Sequence, residues 1–224
     1  MLRTIGFIAI GAFILIFGAA AWVKTSFSTD TYRYRLTVAI DVGGQLLTGA
    51  SVIGVNLTKQ PRVLPEVLPV ISRAHGDAVF VDLGGGRHVI ALLVSGPTGG
   101  FTDYPQSLVP THFNLSYDDK DLPKYSLLEG SWDLSEKYLP TFVTFSNLND
   151  PKTARVVKPE EFGQVFGSGT RLRKVTVEMT KDPVTRGLEK KLPWLSRMIS
   201  DGLGGVINSS PGRFIVNAPY FVRS

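Results

Sequence analysis

Three histidines, His75, His88 and His112, are the chain's only imidazoles, and they are separated by 13 and 24 residues. No His-x-x-x-His pair exists to hold a metal from one helix face. In His75-Gly76-Asp77 a carboxylate follows an imidazole across a glycine, an arrangement that orients a general base when the two side chains meet. A hydrolase built on this chain would draw on His75 or His88 with Asp77 or Asp82. The plainer reading makes them turn and strand residues satisfied by local hydrogen bonds.

Other motifs fall short of the chemistry they resemble. Gly49-Ala50-Ser51 begins like a nucleophile elbow, but Ile53 stands where the second glycine is required. Gly84-Gly85-Gly86 has no Lys-Ser or Lys-Thr after it and no helix to follow, so it reads as a hairpin turn and not a phosphate cradle. Asp118, Asp119 and Asp121 lack the alternation and terminal glutamate of a calcium loop and read as a solvated acidic loop. With no cysteine there is no disulfide, thiol nucleophile, thiolate metal site or lipidated thiol. Neither a cofactor nor a metal is expected.

One segment combines charge with apolar spacing. Arg186, Lys190, Lys191 and Arg197 are interleaved with Leu188, Leu192, Trp194, Leu195, Met198 and Ile199. Such a basic amphipathic segment suits an anionic lipid surface or a partner helix, and it equally suits a small helix packing its stripe on a sheet. No Lys/Arg block tracks phosphates and the net charge is only +5, so nucleic acid is not an expected partner.

The elements that must position these residues are mostly strands. Hydrophobic residues make up 43% of the chain and charged residues 19%, which excludes disorder and provides for a core. Tyr32, Tyr34, Leu36, Val38 and Ile40 alternate with Arg33, Arg35, Thr37, Ala39 and Asp41, and Gly43-Gly44 then leads to Leu47, Ile53, Val55 and Leu57. Residues 32–58 therefore read as a long antiparallel hairpin. Pro61, Pro65 and Pro69 predict an extended connection over 60–77. A second hairpin joins 78–83 to 87–94 through the three glycines, and residues 95–139 read as loops with one helical turn. Strands follow at 141–145 and 171–180, a short helix opens at Pro159, and Asp182-Pro183 is expected to open a helix kinked at Pro193. A last strand over 213–216 returns to the sheet. The expected fold is mainly β, of the α+β kind: one antiparallel, hairpin-rich domain with two or three short helices.

An apolar segment precedes that domain. Ile5 to Val23 gives 23 − 5 + 1 = 19 residues without a charge. As a helix it would measure about 28 Å, against a hydrocarbon core of roughly 30 Å. Arg3 before it, Trp22 at its end and Lys24 after it suit a membrane anchor with the amino terminus inside. Ala19-Ala20-Ala21 also resembles a signal-peptidase site, so a cleaved signal is the rival reading, and either exports the rest. The expected organisation is an anchor over 1–24, a polar stalk over 25–31 and an exported domain over 32–224. Asn56, Asn114 and Asn208 stand in formal glycosylation sequons and are expected to be bare in a bacterial envelope.

The run from Lys158-Pro159-Glu160-Glu161-Phe162 through Phe166-Gly167-Ser168-Gly169-Thr170-Arg171-Leu172 continues into Val175-Thr176-Val177-Glu178 and Asp182-Pro183-Val184-Thr185. With Lys191-Leu192-Pro193-Trp194-Leu195 and the opening Tyr32-Arg33-Tyr34-Arg35-Leu36-Thr37-Val38, it resembles a family of uncharacterised proteobacterial membrane-anchored envelope proteins. The resemblance implies only a place in the bacterial envelope and supplies no catalytic residue or ligand; with the uncharged run, the expectation is a single-pass inner-membrane protein with its C-terminal domain in the periplasm. Two functions are expected from the whole: partner binding or a structural role in the envelope, or a periplasmic hydrolase using a His/Asp pair.

Overall fold

The computed structural model describes residues 29–60, 69–96, 99–200, 207–208 and 215–223. The apolar run Ile5 to Val23 lies outside them, and among the described residues no helix is long and apolar enough to cross a membrane.

The first hairpin forms as its alternation dictates. Strand β1 (Thr29–Val42) pairs with β2 (Gln45–Lys59), so that Tyr34 faces Ile53 and Val38 faces Gly49. Both turn glycines have positive φ, 60° at Gly43 and 92° at Gly44, and the Asp41 carboxylate accepts the Gly44 N–H at 2.8 Å. That turn twists in the sense the strands require. The strand starts at Thr29, inside the expected stalk.

Around this hairpin stands a six-stranded antiparallel sheet in the order β12-β3-β2-β1-β9-β6, with β3 (Val70–Asp77), β6 (Ser131–Asp133), β9 (Thr170–Met179) and β12 (Val222–Arg223). A second antiparallel sheet runs β4-β5-β7-β8, comprising β4 (Val79–Gly84), β5 (Arg87–Ser95), β7 (Pro140–Phe145) and β8 (Ala154–Val156). Every residue of β5 from His88 onward is buried, as its unbroken apolar run predicts for a strand covered on both faces. Both sheets feed one continuous core.

The chain passes from one sheet to the other at Asp77-Ala78. Here β3 leaves β2, having paired with it only from Gly54 onward, and Thr185 takes over its place. The Thr185 N–H donates to the Val52 carbonyl at 3.0 Å, and the Val52 N–H donates to Thr185 Oγ1 at 2.8 Å. A side-chain hydroxyl thus does what a neighbouring strand's carbonyl would do.

Several expectations need correction. Residues 70–77 form a strand and not an extended connection: Pro69 stands just outside it, where its missing N–H removes no ladder bond. The stretch 95–139 contains helices α1 (Tyr104–Phe113) and α2 (Leu122–Tyr125) and strand β6. Helix α3 (Phe162–Phe166) follows the turn opened by Pro159, as expected. The late helix α4 (Pro193–Ser200) begins at Pro193, which fits a first helical position and kinks nothing. Residues 215–216 form β11 (Ile215–Val216), which pairs with β10 (Ile207–Asn208) outside both main sheets; after α5 (Ala218–Phe221), β12 closes the large sheet. The described residues thus hold five α-helices of four to ten residues where two or three were expected.

Helix α1 contains Pro110, which cannot donate to the Gln106 carbonyl four residues earlier. Two tyrosines fill that vacancy: the Tyr32 hydroxyl donates to Gln106 O at 3.2 Å, and the Tyr117 hydroxyl donates to the same oxygen. Tyr34 adds a bond to Pro105 O at 2.8 Å. Burial raises the pKa of all three phenols, keeping them protonated as donors. Tyr34→Phe should lower the unfolding free energy by about 1 kcal/mol, measured in urea. Tyr32→Phe should cost less, because Tyr117 still serves Gln106.

Candidate functional site

The carboxylates expected to activate the histidines accept backbone N–H groups instead. His75 on β3 stands opposite Gly54, and its ring lies over that glycine: a Cβ there would meet His75 Nε2 at 2.4 Å. Asp77 turns away, accepting the Leu188 N–H at 2.9 Å, and burial raises its pKa. The hydroxyl of Ser51, the residue of the incomplete elbow, donates to the Asp77 carbonyl at 2.5 Å.

His88 and Asp82 face each other across β4 and β5; the Asp82 charge works to raise the His88 pKa, but no hydrogen bond joins the two side chains. Asp82 accepts the Gly84 N–H at 2.9 Å within the glycine turn. His88 Nε2 accepts the Phe145 N–H at 3.2 Å, which places the proton on Nδ1, 3.3 Å from the Gly86 carbonyl. The ring stacks between Phe80 and Phe145, with centroids 5.4 and 6.3 Å away. Only the neutral tautomer satisfies both bonds.

Burial is the first cause that lowers the pKa of His88 and of His75 below the ordinary 6.5, with Arg186 and Arg33 adding to it at His75. As pH falls the unfolded chain takes up these protons first, so the stability is fully present above about 6.5 and is lost as pH falls through the depressed folded values. The urea midpoint should therefore drop between pH 7.5 and about 5.5. His88→Phe keeps the stack and removes one proton site, so it should flatten that slope; an unchanged slope would remove His88 from the account.

In the basic segment, Trp194 is 3% exposed, donates its indole N–H to the Leu148 carbonyl at 3.0 Å and packs against Phe145 and Phe221. Leu195 and Met198 are buried with it. Trp194, Leu195 and Met198 are thus spent on the core while Ile199 stays half exposed, which corrects the placing of Trp194 on an interaction surface. Lys190, Lys191 and Arg197 are exposed; the Lys191 ammonium lies 4.5 Å from the Phe80 ring centroid. Arg186 donates to the Arg223 carbonyl at 2.7 Å.

The acidic loop is likewise satisfied internally. Asp121 accepts from Lys124 at 2.7 Å and from the Ser116 N–H at 2.9 Å, and these bonds hold its carboxyl far below the usual range. Among the described residues no three His, Asp or Glu side chains converge as metal ligands.

A concavity lies elsewhere, between β9 of the large sheet and β8 of the second. Strand β9 carries a bulge: Ala39 pairs with Lys174 but Ile40 pairs with Leu172, leaving Arg173 as the extra residue. Bulges commonly re-aim a side chain beside a site. On its outer side β9 pairs with β6 along Glu178, Val177 and Thr176, and the Leu134 N–H donates to the Val175 carbonyl at 2.8 Å. Beyond Val175 no described strand pairs with that edge. Across the gap, β8 is the last strand of the second sheet.

The cleft between them has a volume of about 830 Å³, within the roughly 300 to 1,000 Å³ usual for ligand sites. Its walls include Leu139, Phe142, Val157 and Leu172, and its polar lining is Lys137, Lys158, Arg173 and Lys174 against Glu136 and Glu160. Lys174 lies 3.3 Å from Asp133. None of His75, Asp77, Asp82 and His88 lines it. A smaller hollow of about 280 Å³, where His112 stacks on Trp132 at 3.9 Å, shares Leu134 with it.

Sequence reasoning missed this cleft. The available signal was the spacing of three between Leu172 and Val175 within an otherwise alternating strand, which marks a bulge. Comparison of the chain with protein-family models, with curated proteins and with solved structures gives no match.

Proposed function

We propose that the chain is a single-pass, membrane-anchored protein of the bacterial envelope, held by Ile5 to Val23, whose β-rich periplasmic domain binds a protein partner without catalysis. The observation that carries the binding role is the cleft between the sheets, with an apolar wall, a basic rim and the edge of β9 beyond Val175, which no described strand pairs with. An extended segment needs those features: backbone groups to pair with and pockets for alternate side chains. The anchor reading is supported by the length and flanks of the uncharged run and by the family resemblance.

Photo-crosslinking in intact cells tests the binding role. A photoreactive residue at position 158, on the cleft rim, should give a discrete adduct that the same residue at position 46, on the exposed hairpin, does not. Identical adducts from both positions, or none from 158, would overturn the role. A reporter active only outside the cytoplasm, fused after Ser224, should be active, and the protein should resist alkaline carbonate extraction.

A further inference from the structure

We infer that the end of the large sheet where β1 begins is a docking face for the anionic lipid headgroups of the membrane that anchors the chain. This inference rests on the anchor reading above. Five residues, 24–28, separate Val23 from the start of β1 at Thr29. Across the six steps from Val23 to Thr29 the chain reaches no farther than about 22 Å. The start of β1 is therefore held close to the bilayer surface, together with the end of β2 and the start of β3 that pair beside it.

The outer face of the sheet at that end is basic. Arg33, Gly54 and His75 lie in one cross-strand row, and Arg73 stands two residues along β3 on the same face. Arg186 joins them from the side: it donates to the carbonyl of Arg223, which pairs with Gly76 next to His75. Gly54, in the middle of the row, is covered by the His75 ring and the Val184 side chain, so the charge of the row is carried by Arg33 and, beside it, Arg73.

The counter-charges lie to one side. Glu178 and Asp182 both bind Arg35, and Asp119 binds Lys59 at 3.1 Å. There Arg33, Arg35, Arg73 and Arg186 stand against Glu178 and Asp182, or 4 − 2 = +2. Arg33, Arg73 and Arg186 have no carboxylate among the described ion pairs. Phosphodiester headgroups supply the missing charge within the Debye length over which such attraction acts. The other end of β1, at Gly43-Gly44, points away from that surface by on the order of 40 Å.

The lack of cysteine makes the test direct. The full chain is reconstituted with a fluorophore at Thr31→Cys or, as the distal control, at Gln45→Cys, and quenching by headgroup-level lipid nitroxides is read. In mixed phosphatidylglycerol and phosphatidylcholine vesicles the label at 31 should be quenched at least about threefold more than in pure phosphatidylcholine. High salt should remove the difference, as should Arg33→Gln, Arg73→Gln and Arg186→Gln together, with circular dichroism verifying the fold. The label at 45 should be indifferent to lipid charge. Equal quenching at 31 in both lipids, or an unchanged difference in high salt, would overturn the inference while leaving the anchor intact. A chain that does not co-float with either vesicle would overturn the anchor reading, and the inference with it.

Discussion

Val38→Asp is expected to abolish folding. Val38 is fully buried in the middle of β1, facing Gly49 on one side and Val175 on the other, so the new carboxylate would have neither water nor a cation to meet. Burying an unpaired charge costs several kcal/mol, comparable with a total stability of roughly 5 to 15 kcal/mol. Thr37, one residue away, points to the opposite face, is only half-buried and stands between Ala50 and Thr176. Thr37→Asp should cost about 1 kcal/mol or less. Circular dichroism and urea titration compare the two, and equal damage would mean that the faces of β1 are assigned the wrong way round.

The second large effect belongs to Trp194→Ala, which should lower stability by about 3 to 5 kcal/mol. The indole fills the space between Phe145 and Phe221, and its loss would also orphan the Leu148 carbonyl. Lys190→Glu with Lys191→Glu should change stability by about 1 kcal/mol at most, since both side chains are exposed and only Lys191 has a ring beneath it. The ratio of these two effects, read from urea midpoints, separates a core helix from a surface one. A mild tryptophan variant would restore the basic amphipathic segment as an interaction surface.

Legibility in the sequence followed the range of the interactions. The β1–β2 hairpin and the β4–β5 hairpin were plain because a period of two and a glycine turn are local signals. Strand β3 and helix α1 were hidden by prolines read as breakers. In α1 the donors that replace the missing Pro110 N–H are the hydroxyls of Tyr117, 11 residues from Gln106, and Tyr32, 74 residues away, and neither bond has a local sequence signal. Strand β9 was legible from the alternation of Val175 and Val177 with Thr176 and Glu178, and both valines are buried. His88 was found as a residue, but its two backbone partners were not, since Phe145 is 57 residues away. The cleft was least legible of all, because it is assembled from segments around Gly96, Leu139, Lys158 and Arg173.

The strand order of the large sheet also sets a timetable. Strand β1 is an interior strand, yet its partner on one side, β9, begins at Thr170, so 170 − 42 = 128 residues must be made after Val42 before that side can be covered. At about 5 to 20 residues per second this takes roughly 6 to 26 s. Throughout that interval the first hairpin exposes the edge carrying Leu36, Val38 and Ile40, residues fully buried once the sheet closes. A bare apolar edge recruits other strands. The nascent chain is therefore most vulnerable to misassembly while its best-formed element is already in place, and a holding factor that covers β1 would matter more to its yield than one acting after release.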